Sequence, residues 1–141
     1  MLGLDTASWL AGIPQRTLIN RIGQRAFQPT RRGRPEGGRG STHQFSVSAT
    51  VGLIVGEALR RGEIGCSLEY TKKIYRAFAG VSEEWLRTQL ERGNTHFVMI
   101  TRQGKPLLQP QAYNWVSVAD AYRRIQHEVK QQRLRARSPV R

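Results

Sequence analysis

Between Pro29 and Gly40 the chain sets Arg31, Arg32, Arg34 and Arg39 among Gly33, Pro35, Gly37, Gly38 and Gly40. Glycine is too free, and proline too restricted, for such a stretch to be a helix interior. Proline also removes donors from a sheet ladder. The segment is therefore a loop or a loose hairpin, and any core must be assembled from the sequence on either side of it. Clustered guanidiniums on such a loop suit the gripping of phosphates, since phosphate contacts fix register and orientation while base contacts give sequence.

Both flanks carry helical patterning. Upstream, Asp5 or Thr6 can cap a first short helix in which Ala7, Leu10 and Ala11 share one face, and Gly12 ends it at a left-handed turn. Pro14 suits the first position of a second helix, where its missing N–H has no intrahelical partner to lose. Leu18 and Ile22, at i and i+4, pack back on the first helix with Ile13, which leaves Gln15, Arg16, Ile19 and Asn20 pointing elsewhere. Two helices joined by a tight glycine turn and followed by a basic loop have the outline of a helix-turn-helix with a wing. Arg, Gln and Asn make bidentate contacts to base edges in the major groove, and in a helix-turn-helix they come from the start of the second helix. The candidate DNA-binding residues are therefore Gln15, Arg16, Thr17, Asn20 and Arg21 on that helix, with Arg25, Arg31, Arg32, Arg34, Arg39 and His43 on the wing and its flank.

The charge agrees. The chain of 141 residues carries 23 Lys and Arg against 10 Asp and Glu, a formal +13. Solubility alone needs a magnitude of only about 2 to 8 in a small domain, so a polyanionic partner is the simpler explanation. Hydrophobic residues make up 38%, which implies a thin core and an expectation of homodimerisation to complete it. A single cysteine, Cys66, excludes an internal disulfide and cannot alone make a thiolate metal site. There is no run of 18 apolar residues and no leader-like start after Met1, so the expected location is the cytoplasm, at the nucleoid, with no membrane partner.

The run from Gly12 through Phe45 resembles the winged helix-turn-helix of the mercury-resistance regulator (MerR) family. Thr17 and Leu18 match its Thr-Leu pair, Pro29 falls at its proline, Arg31, Arg32 and Arg39 fall in its wing, and Phe45 sits at the closing aromatic. A Gly-x-Ser-Leu start to a later helix, at Gly65 to Leu68, extends the likeness, which covers roughly residues 4 to 79. Two positions depart from the pattern: Ile19 replaces a usual arginine after Thr-Leu, and Arg25 a usual glycine before the proline. The wing is also longer and richer in glycine. The resemblance implies double-stranded DNA binding and transcriptional regulation.

Downstream, Ser46 or Ser48 caps a third helix with an apolar face of Val51, Ile54, Val55, Ala58 and Leu59, closed by Arg60, Arg61 and Gly62. Ser67 opens a fourth, with Leu68, Thr71, Ile74, Tyr75 and Phe78 at helical spacing, and Ser82 a fifth with Trp85, Leu86 and Leu90. After Gly93 the period changes. His96 to Thr101 reads as a strand, Gln103-Gly104 as a turn and Leu107-Leu108 as a return strand confined to an edge by Pro106 and Pro110. Tyr113 to Val116 is a third short extended piece, and Ser117 caps a last helix striped by Val118, Ala121, Tyr122, Ile125 and Val129.

The predicted fold is thus mainly α with a small β component, a winged helix-turn-helix followed by helices and a small C-terminal hairpin plus helix. The divisions are a DNA-binding head over 1–66, connecting helices over 67–93, a strand-helix unit over 94–132 that serves dimerisation, and a basic tail over 133–141. A sheet of two or three edge strands is marginal alone, which is why a second copy is expected to complete it. No nucleophile elbow, phosphate loop or paired-histidine motif is present, and His43, His96 and His127 lie in different elements, so no enzyme activity and no cofactor are expected. Two alternatives to a sequence-specific regulator stay open. One is an architectural, excisionase-like or nucleoid factor that bends or coats DNA; the other is an antitoxin-like autoregulator whose C-terminal unit holds a protein partner.

Overall fold

The computed structural model describes residues 1–31, 43–62, 65–111 and 116–137. Among them the order is β1 (Leu2–Gly3), α1 (Leu4–Ala11), α2 (Gln15–Gly23), β2 (Gln44–Phe45), α3 (Val47–Arg61), α4 (Leu68–Ala79), α5 (Glu83–Glu91), β3 (His96–Ile100), β4 (Pro106–Gln109) and α6 (Val118–Arg137). The protein is mainly helical with a small β component, as the patterning predicts.

Serine caps set most helix starts. Ser46, Ser67 and Ser82 accept backbone N–H bonds from Ala49, Tyr70 and Trp85, and Ser117 accepts one from Asp120 at the head of α6. The first helix differs from expectation: it begins at Leu4, with Gly3 rather than Asp5 or Thr6 at its cap and no side-chain cap bond. Pro14 likewise stands at the cap of α2, just outside the helix.

The centre of the molecule is α3. Sequence periodicity predicts one apolar face, yet every residue from Ser48 to Glu57 is buried, while Ala58 is exposed. A helix buried on all sides must be covered on all sides, and α1, α4 and α6 pack around it. The approach of α4 is close because α3 offers it Gly52 and Gly56. A Cβ on Gly52 would stand 2.9 Å from Phe78 Cβ and 3.2 Å from Tyr75 Cα, and one on Gly56 would stand 3.0 Å from Thr71 Cγ2.

Phe27, Phe45 and Tyr75 form an aromatic corner beside this pair, with ring centroids 5.2 Å and 6.4 Å from Tyr75 in edge-on geometry. The Tyr75 hydroxyl donates to the Gln28 carbonyl, and burial pushes its pKa up.

Residues 94–132 share this core instead of building one of their own. β3 and β4 pair antiparallel with a bulge between Phe97 and Met99, and Val116 and Ser117 flank β3 on its other side. Most of the predicted third extended piece, its residues 113–115, lies outside the described residues. Phe97 and Leu108 point inward, and Phe97 meets Phe78 at 5.7 Å. Val118, Ala121, Tyr122 and Ile125 of α6 join the same buried cluster. The hairpin is therefore covered by α4 and α6 of its own chain, so the reason given for needing a second copy there falls away.

Candidate nucleic-acid interface

Three residues, Gly12 to Pro14, join α1 to α2. Gly12 takes φ +70°, its N–H bonds the Trp9 carbonyl, and the N–H of Ile13 reaches back to Ser8 at 2.9 Å. This left-handed closure turns the chain sharply, and Ile13 is buried behind it.

The second helix then divides cleanly. Leu18, Arg21 and Ile22 are buried; Gln15, Arg16, Ile19 and Asn20 are exposed, with Thr17 between. The exposed four fall at i, i+1, i+4 and i+5, which places them on one face. Ile19 is 47% exposed among polar neighbours, an apolar contact set into a hydrogen-bonding surface. From Thr6 to Pro35 the sequence contains no Asp or Glu, so nothing from Thr6 of α1 through α2 and the following turn neutralises that face from within the segment.

Arg21 is not part of it. Grouped with the DNA-binding residues by sequence, it instead lies against α3, with its side chain 10% exposed, its Nη1 3.4 Å from Glu57 Oε2 and its guanidinium 5.4 Å from the Phe27 ring centroid. Its role is to fasten α2 to the core. Glu57 is 2% exposed and also receives Arg60 at 2.8 Å and Arg61 at 2.7 Å. Burial alone would raise its pKa, but the Arg60 hydrogen bond and the charges of Arg60, Arg21 and Arg61 outweigh that and hold it below the ordinary value. Sequence reasoning missed this cluster. A signal was present: a lone carboxylate in an otherwise apolar helix, three and four residues before two arginines.

Arg25 is exposed and takes φ +59°, a positive value carried by no other described residue except glycine. The Arg25 N–H bonds the Ile22 carbonyl and the Ala26 N–H the Arg21 carbonyl. This is the same two-bond closure that Gly12 gives α1 and Gly93 gives α5. The backbone at Arg25 is one that favours glycine.

Beyond it, Arg31 and Gln44 exchange both backbone hydrogen bonds, at 3.0 and 2.8 Å, and Gln44 in turn pairs with Gly3 of β1. Thr30 Oγ1 accepts from the Ser46 N–H at 2.8 Å. The chain thus leaves at Arg31 and returns beside it at His43, which is half-buried. Arg31 is exposed at this base. Arg32, Arg34 and Arg39 lie outside the described residues.

Among the described residues no group of three or more His, Cys, Asp or Glu side chains is placed to hold a metal, and no helix is long and apolar enough to cross a membrane. No family model, curated protein or solved structure matches the chain.

Proposed function

We propose that the chain is a sequence-specific, homodimeric double-stranded-DNA-binding protein acting as a transcriptional regulator at the nucleoid, in the cytoplasm. In this reading α2 enters the major groove, and the basic segment between Arg31 and His43 bears on the sugar–phosphate backbone. The observation that carries it is the division of α2. One face is anchored by Leu18, Ile22 and the Arg21–Glu57 pair, and the other presents Gln15, Arg16, Ile19 and Asn20 with no carboxylate among them.

Arg16 and Asn20 supply the bidentate geometries that guanine and adenine edges accept, and Ile19 suits a thymine methyl group. Gln15 and Thr17 flank them. Arg25, Arg31, Arg32, Arg34, Arg39 and His43 take the phosphates, which position the protein without reading sequence. The net charge of +13 and the likeness to the MerR DNA-binding head support the same docking.

Selection of bound duplexes from a random pool tests this, since it returns the motif and, where two half-sites appear, their spacing. Arg16→Ala should then relax preference within the motif. Arg32→Ala should weaken all duplexes alike and reduce the salt slope by about one. Equal losses on selected and random duplexes for both variants would refute the assignment.

A further inference from the structure

We infer that the face shared by α1 and α6 docks a second copy of this chain, each copy's Trp9 entering the groove beside its partner's. The inference specifies the dimer part of the reading above and does not depend on DNA binding.

Trp9 is 67% exposed, the most exposed large hydrophobic residue among those described. It stands on α1 as a ridge between two shallow hollows against α6, one of about 550 Å³ reaching Leu10 and His127, the other of about 280 Å³ reaching Thr6 and Gln132. A knob and a hollow side by side on one face are what a two-fold interface requires, because whatever the first copy inserts the second must receive, and the reverse.

The charge identifies the occupant. Asp5, Asp120 and Glu128 stand here against Arg123, Arg124 and Arg135, so the ionised side chains of the face sum to zero in a chain of +13. Strong net positive charge repels a second copy from most of the surface, and a polyanion gains nothing from this balanced patch. A protein face of mixed sign is complementary to itself.

The side chains are also held in advance. Arg124 donates to the Leu10 carbonyl at 2.9 Å, Arg135 pairs with Glu128 at 2.9 Å, Arg123 with Asp120 at 3.3 Å, and Gln132 donates to Thr6 Oγ1 at 2.8 Å. Groups already ordered lose little on association, so the apolar gain from two indoles is retained.

Sedimentation of the full chain without DNA tests the interface. Wild type should be dimeric at tens of micromolar, and Trp9→Ala should raise the dimer dissociation constant by about a hundredfold or more, as truncation of a central tryptophan does. Because Trp9 is exposed in the single chain, the variant should keep the wild-type melting temperature when both are measured at concentrations too low for the dimer to form. Arg123→Glu, which turns the face acidic, should also weaken the dimer, and added salt should partly restore it. A monomeric wild type overturns the inference, including the case in which Trp9 serves a different protein, and so does a dimer indifferent to Trp9→Ala. Duplex binding is measured separately. A monomer that binds DNA refutes this interface and leaves the DNA assignment standing; a Trp9-dependent dimer that binds no duplex does the reverse.

Discussion

Replacing Glu57 with glutamine removes one charge from the point where α2, α3 and the α1–α2 turn meet. The carboxylate is 2% exposed and faces three guanidiniums, but these are not equivalent, because the side chains of Arg60 and Arg61 are 35% and 54% exposed whereas that of Arg21 is 10% exposed. Water screens the first two pairs, each of which contributes at most about 0.5 kcal/mol. Arg21 is different: with Glu57 neutral it is left charged and buried, and breaking a buried pair from one side costs about 3 to 5 kcal/mol. The Arg21 contact is long at 3.4 Å and the guanidinium keeps its place over Phe27, so the lower end applies. The expected loss is therefore about 3 to 4 kcal/mol, or roughly 10 °C in melting temperature. Urea titration followed by circular dichroism measures it. The double variant Glu57→Leu with Arg21→Met should recover most of the loss, because an apolar pair of similar volume carries no desolvation cost. A loss below about 1 kcal/mol for Glu57→Gln, or a double variant no better than the single one, would refute the assignment of Arg21 to the core.

The same carboxylate predicts an acid limit. Its folded pKa lies below the ordinary 4.5, so its stabilisation is complete above that value and is lost as pH falls through the folded pKa; stability measured downward from pH 4.5 should decline in wild type more than in Glu57→Gln. Arg25→Gly should raise stability by about 0.5 kcal/mol, the relief of a left-handed backbone less the entropy of a freer unfolded chain, whereas Arg25→Ala, equally strained, should leave it unchanged. Equal melting temperatures for the two variants would contradict that backbone account. Gly52→Ala should lower stability by about 1 to 2 kcal/mol despite alanine's better helix propensity, because the added methyl meets Phe78 and the Tyr75 backbone; an unchanged melting temperature would show that α3 and α4 part easily.

The local features of this fold were legible in the sequence because local chemistry decides them. Serine placement gave the starts of four later helices, and Gly12 gave the turn before α2. The spacing of Leu18 and Ile22 separated the two faces of that helix. What local patterning could not reveal was long-range pairing. Arg21 reads as one more exposed arginine until a carboxylate 36 residues later is seen to meet it. Gly52 and Gly56 read as weak points in a helix until α4 is laid across them. The burial of α3 from Ser48 to Glu57 depends on α6, which packs against it and whose Arg124 also reaches the Leu10 carbonyl of α1 across 114 residues. That contact also places Trp9 beside a groove that the sequence of α1 alone could not suggest.

The pairing of Arg31 with Gln44 has a consequence for how such a protein can vary. With the two ends of the basic segment tied to each other through two backbone hydrogen bonds, and Gln44 paired in turn with Gly3 of β1, its length is separated from the stability of everything beneath it. Closing a loop costs only about 0.6 kcal/mol more for each doubling of its length. Residues can therefore be inserted or removed between those two anchors, changing reach and charge on the outside, while the helices below keep their places. Length at that point is free to change where the core beneath it is not.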